Sequence, residues 1–119
     1  MKKVSEMLIA ISGELLQTPD NLTEMNAHLD IVVHAWNLSL LPREESNNEL
    51  QKFLTQQKPY APTPEDLDGL KWEYKRIMKQ KHKLFPEVQN RIRHAMARET
   101  SKDNYIISCL LYTSDAADE

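Results

Sequence analysis

Apolar side chains recur along this chain at the 3.6-residue period of helices, in runs separated by prolines. Placed at about 100° per residue, Met25, Leu29, Val32, Val33, Trp36 and Leu40 gather on one face of a helix built around Leu29–Leu41. Ala27, Ile31, Ala35 and Leu38 cover the opposite face and leave Asp30, His34 and Asn37 as a narrow polar strip. A helix apolar on two sides is a central one, with neighbours on both. Thr23 is its expected N-cap, with Glu24 in the first turn and Pro42 as the stop. Upstream, Val4, Met7, Leu8, Ile11 and Leu15 form one stripe and predict a first helix from Lys3 to Gln17, ending before Pro19. Gly13 inside it costs about 1 kcal/mol against alanine. It marks either a close approach of another backbone or a tolerated weak spot. Thr18–Asn21 reads as a turn.

Downstream, Ser46 followed three residues later by Glu49 matches a capping box and predicts the start of a third helix. That helix carries Leu50, Phe53 and Leu54 inward and ends near Gln57. Lys58–Pro64 is a proline-rich connector, expected to be extended. Thr63-Pro64-Glu65-Asp66 opens a fourth helix with an N-cap threonine, proline at the first position and two acids in the first turn. Leu67, Leu70, Tyr74, Ile77, Met78 and Leu84 line one of its faces, and Pro86 ends it. Beyond Pro86 two readings stay open. Val88, Ile92 and Met96 recur every four residues, as in a short helix, whereas Ile92, His94, Met96 and Arg98 alternate, as in a strand. Thr100–Asn104 is a turn and Tyr105-Ile106-Ile107 favours strand. The preferred reading is a helical turn over Pro86–Arg91 followed by a hairpin. The predicted fold is thus mainly α: a single four-helix domain with a C-terminal β-hairpin, α+β.

Composition bounds this picture. A chain of 119 residues builds one core. Met1-Lys2-Lys3 begins like a signal peptide, but Glu6, Ser12 and Glu14 interrupt the apolar run that would have to follow. No window approaches the ~18 apolar residues of a membrane span. The expectation is a cytoplasmic protein with no membrane contact.

The tail Cys109-Leu110-Leu111-Tyr112-Thr113-Ser114-Asp115-Ala116-Ala117-Asp118-Glu119 resembles, in order, a translated transposase-end adapter of the kind used in sequencing libraries. The resemblance implies a native domain at residues 1–108, a reading frame truncated near Ser108, a metagenomic-type origin and a non-native tail at 109–119. Ser114–Glu119 is then expected to be disordered or loosely attached, while Leu110, Leu111 and Tyr112 extend a strand. Without the tail, the native part has no cysteine, hence no disulfide, thiolate nucleophile or cysteine metal site. Its charge becomes zero rather than −3, because Asp115, Asp118 and Glu119 drop out. Separately, Ala35-Trp36-Asn37-Leu38-Ser39-Leu40-Leu41 together with Leu84-Phe85-Pro86 resembles a family of small bacterial helical proteins that end in a β-hairpin and whose role is uncharacterised. That resemblance implies a fold and carries no ligand or catalytic residue.

Catalytic chemistry has little to work with. His28, His34, His82 and His94 show no zinc-binding spacing, and there is no glycine-rich phosphate loop. Asp30 and His34, at i and i+4 with Asn37 one turn on, would suit a general base with its orienting carboxylate. A polar strip satisfying itself is the commoner arrangement and is preferred. No catalytic residue, cofactor or metal is expected.

Charge is segregated along the sequence. Residues 1–70 hold five Lys/Arg and eleven Asp/Glu, whereas residues 71–102 hold ten Lys/Arg and three acids. On the fourth helix Lys71, Lys75, Arg76, Lys79 and Lys83 fall within an arc of about 140°, and Trp72 lies inside it. These six residues are the candidate binding face. A tryptophan framed by cations suits a stacking platform for single-stranded nucleic acid or contact with an acidic protein. The bland alternatives are that Trp72 packs under a loop or the hairpin, or that the arc faces the acidic half of the same molecule. The expected role is a non-enzymatic protein-interaction module, with nucleic-acid binding as the alternative.

Overall fold

The central helix is flanked as the two-sided apolar pattern requires. In a computed structural model, which describes residues 4–13, 15–16, 21–59, 63–101 and 104–111, the elements are α1 (Val4–Ser12), α2 (Leu22–Ser39), α3 (Arg43–Gln57), α4 (Pro64–Leu84), β1 (Ile92–Ser101) and β2 (Asn104–Leu111). α2 packs against α1, α3, α4 and β1, while α1 also meets α4 and β2, and α3 meets α4. Met25, Leu29, Val32 and Trp36 are buried on one side of α2, and Ala35 and Leu38 on the other. Ala27 is exposed and Ile31 half-buried, so the second face is covered only towards its C-terminal end.

The helix ends correct several boundaries. α2 is capped by Asn21 rather than Thr23: the Asn21 side chain accepts the Glu24 backbone N–H at 2.8 Å. Asparagine two residues upstream is at least as good a cap as threonine and adds about half a turn of helix. α1 stops at Ser12, well short of Gln17, because Gly13 adopts φ +62°. That left-handed conformation ends a helix and suits glycine best. A Cβ on Gly13 would also lie 2.8 Å from Nη1 of Arg76. Gly13→Ala should therefore lower stability by about 1–2 kcal/mol from backbone strain alone, read as a lower melting temperature. α3 starts at Arg43 with Pro42 as its cap, so Ser46 lies inside the helix and is no N-cap. Ser46 shares a buried face with Leu50 and Leu54 at i+4 and i+8, which outweighs the capping-box match. α4 begins as expected, with Thr63 and Asp66 exchanging both hydrogen bonds of a capping box. The turn expected at Thr18–Asn21 falls largely on residues 18–20, and the extended connector on residues 60–62, both outside the described residues. So do the expected limits of the first helix at Lys3 and Gln17 and the end of the tail at Ser114–Glu119.

The segment after α4 is a hairpin. One turn follows it, closed by the Val88 N–H on the Phe85 carbonyl at 3.3 Å, in place of a helical stretch to Arg91. β1 and β2 then pair antiparallel, with Ala95 opposite Cys109 and Ala97 opposite Ile107. A regular strand points residues an even number apart to one face. Ile92 and Ala95 are three apart, yet both are buried with Ala97. A register shift between Ile92 and His94 resolves this: two steps along β1 match one along β2, from Leu111 to Leu110. The extra residue of the bulge turns Ile92 back to the core. The alternation expected for Ile92 with His94, Met96 and Arg98 is therefore broken at its first member, and the other three side chains are exposed. β2 runs past Ser108 to Leu111, and Cys109 is 3% exposed, so residues 109–111 complete the hairpin.

Candidate binding face

The helical phase of α4 buries Tyr74 and Ile77 and leaves Lys71, Trp72, Lys75, Lys79 and Lys83 exposed. Trp72 is 64% exposed, so neither a loop nor the hairpin covers it. Among the described residues none of these four lysines is ion-paired, with the acidic N-terminal half or with any other element. Asp68, one turn before Trp72, is exposed as well. The face is thus an aromatic ring with a rim of mixed charge rather than a continuous cationic track.

Arg76 leaves the candidate set. Its Nε donates to Glu73 Oε1 at 2.9 Å, and its Nη2 donates to the same oxygen and, at 2.7 Å, to the Ser12 carbonyl. The guanidinium ties the last turn of α1 to α4, where a cation also suits the negative end of the helix. Its Cζ still lies 5.9 Å from the centre of the Trp72 ring and steadies it. Lys81, one of the ten cations of the basic segment, is fully buried. Its Nζ donates to the Val88 carbonyl and sits 5.1 Å from the centre of the Trp36 ring. Desolvation holds its pKa below the ordinary lysine value.

The polar strip of α2 is divided between two neighbours. His34 Nδ1 and the Tyr74 hydroxyl share a hydrogen bond of 2.8 Å, and the imidazole meets Phe53 and Tyr74 edge-on. Burial lowers the His34 pKa, against a weaker upward pull from Glu49, and raises that of Tyr74. An imidazole bonded to a phenol among aromatic rings is a packing element, while Asp30 stays exposed. The sign follows from proton counting. Below the ordinary value of 6.5 the unfolded chain binds a proton that folded His34 refuses, so this part of the stability is lost as pH falls through the window beneath 6.5. Melting curves from pH 7.5 to about 5 should show that decline, and His34→Gln should flatten it.

Asn37 turns to the sheet. Its Nδ2 donates to the Ile92 carbonyl at 2.8 Å and its Oδ1 accepts the Ile92 N–H at 2.8 Å. Asn26 does the same to Ala97, accepting its N–H at 2.8 Å and donating to its carbonyl at 3.4 Å. The two asparagines are three helical turns apart, about 16 Å, and Ile92 and Ala97 are five strand residues apart, also about 16 Å. Five is an odd number, so only the bulge lets both backbones face α2. The small Ala95 and Ala97 side chains bring β1 close enough for so short an amide to reach it. The 11-residue spacing of Asn26 and Asn37, which puts both on one face, was the available sequence signal for this pairing.

No family model, curated protein or solved structure matches this chain. Its function is therefore read from geometry. Among the described residues no helix is long and apolar enough to cross a membrane, and no group of three or more His, Cys, Asp or Glu side chains is placed to hold a metal ion.

Proposed function

We propose that this domain is a cytoplasmic, non-enzymatic protein-interaction module that docks through the exposed face of α4. The observation that carries the reading is Trp72, 64% exposed beside the unpaired Lys71 and Lys75. Tryptophan is the residue type most often central to a protein interface, where it fills a pocket and is ringed by polar contacts. The partner that fits is a protein with an apolar pocket edged by carboxylates, which would meet Lys71, Lys75, Lys79 and Lys83. The alternative, single-stranded nucleic acid stacked on Trp72, is disfavoured by two features. Asp68 stands one turn away on the path a phosphate backbone would follow, and Arg76 is engaged with Glu73 and Ser12.

Trp72→Ala should leave the melting temperature within about 2 °C of wild type, because an exposed side chain contributes little to the core. The same change and Lys71→Glu should each abolish capture of a protein that the wild-type domain retains and that single-stranded DNA does not displace. The indole N–H signals of Trp36 and Trp72 are separable by nuclear magnetic resonance, and neither should move when single-stranded DNA is added at low salt. Movement of the Trp72 signal, reversed steeply by salt, would replace this reading with nucleic-acid binding.

A further inference from the structure

α3 and α4 enclose a surface groove of about 510 Å³, within the range of small-molecule sites. Its cationic side chains are Arg43 on α3 and Lys75 and Lys79 on α4, with Asn47 and His82 beside them. Leu41 and Met78 add an apolar patch. No carboxylate lines it; Glu45 and Glu49 line a different groove along α3. Among the described residues, Arg43, Lys75 and Lys79 carry no ion pair. The groove also adjoins the first turn of α3, whose cap, Pro42, has no side-chain acceptor for the free amides. A helix N-terminus of this kind favours negative charge.

A second observation points to a ligand independently. Ser46, also part of the groove lining, is 4% exposed, and its hydroxyl is the buried side-chain polar atom that has no hydrogen-bond partner among the described residues. Buried polar groups are almost always paired, so an orphan beside a cationic groove calls for an acceptor. The Ser46 hydroxyl thus belongs to the wall of the groove with its hydrogen-bonding capacity unused.

From this cluster we infer that the groove binds a small phosphate monoester. The phosphate accepts from Arg43, Lys79, Asn47 and Ser46, and the organic body rests on Leu41 and Met78. A phosphate dianion matches this set because every polar group in it donates, and arginine presents a fork to two of its oxygens. The space exceeds a bare phosphate, and the apolar patch selects a ligand with a ring or hydrocarbon body. The groove shares Lys75 and Lys79 with the α4 docking face but uses neither Trp72 nor Lys71, and Arg43, Ser46 and Asn47 belong to it alone, so variants at those residues tell the two sites apart.

The test titrates the intact chain with phenyl phosphate, inorganic phosphate and sodium chloride at matched ionic strength, followed by amide resonances and melting temperature. Phenyl phosphate should give saturable shifts at Arg43, Ser46, Asn47 and His82 and raise the melting temperature with ligand concentration. Inorganic phosphate should bind the same residues several-fold more weakly. Arg43→Gln should weaken phenyl phosphate by roughly tenfold, the loss of one charged anchor. Ser46→Ala should weaken it several-fold while the free protein melts no lower than wild type, which separates loss of ligand from loss of fold. Trp72→Ala should bind phenyl phosphate normally. Shifts equal to those with sodium chloride, no saturation by about 10 mM, or unchanged binding in both Arg43→Gln and Ser46→Ala would overturn the site.

Discussion

Trp36→Ala is expected to destabilise the domain by about 3–5 kcal/mol, the usual cost of truncating a buried large aromatic. That corresponds to a melting temperature lower by roughly 10–20 °C for a chain of this size. Trp36 is fully buried, and its indole N–H donates to the Asn90 carbonyl at 2.8 Å. The same ring faces the buried Lys81 ammonium, so truncation also removes the π surface beside a desolvated cation. Trp36→Phe keeps most of the volume and should cost much less. Leu38→Ala, on the other side of α2, should cost about 2–5 kcal/mol. Urea titrations of the three variants would check the order; a Leu38→Ala curve overlying wild type would mean that the second face of α2 adds nothing.

Asn37→Ala is expected to cost about 2–6 kcal/mol, because it leaves the N–H and the carbonyl of the buried Ile92 without partners, at about 1–3 kcal/mol each. Asn26→Ala should cost less, since one of its two bonds to Ala97 is long. Asn37→Asp separates bonding from packing. An ionised carboxylate accepts the Ile92 N–H but faces the Ile92 carbonyl with no donor, so it should be at least as destabilising at neutral pH. A protonated carboxyl again has one donor and one acceptor, so the folded state should hold that proton more tightly than the unfolded chain. The deficit of Asn37→Asp should therefore narrow as pH falls through the carboxyl range. Hydrogen exchange at the Ile92 amide is the local readout, and continued protection in Asn37→Ala would sink the assignment.

How much was legible in the sequence depended on how local each cause is. The start of α4 needed only Thr63, Pro64 and Asp66, all within four residues, and was readable. The central place of α2 followed from periodicity, and both of its sides do meet neighbours. The third helix start was misread because Ser46-x-x-Glu49 has the letters of a cap, while the burial of Ser46 depends on packing with other elements. Extending the Leu50 and Leu54 stripe back by one turn would have placed Ser46 inward. The polar strip was read as self-satisfying, but Asn37 bonds to a residue 55 positions away and His34 to one 40 away. On α4, periodicity located the basic arc but could not show that Arg76 is taken by Ser12, or that Lys81 faces inward. The bulge defeated simple alternation in β1 by adding one residue to the count.

The asparagine pairing also has a consequence for assembly. A two-stranded ribbon normally offers two open rims to any further strand, and unpaired rims are where chains join edge to edge. Here the outer rim of β1 is stapled at Ile92 and Ala97 by side chains from a helix. The ribbon is therefore one-sided: a strand that joined it, from another molecule or from an aggregate, would have to add along β2.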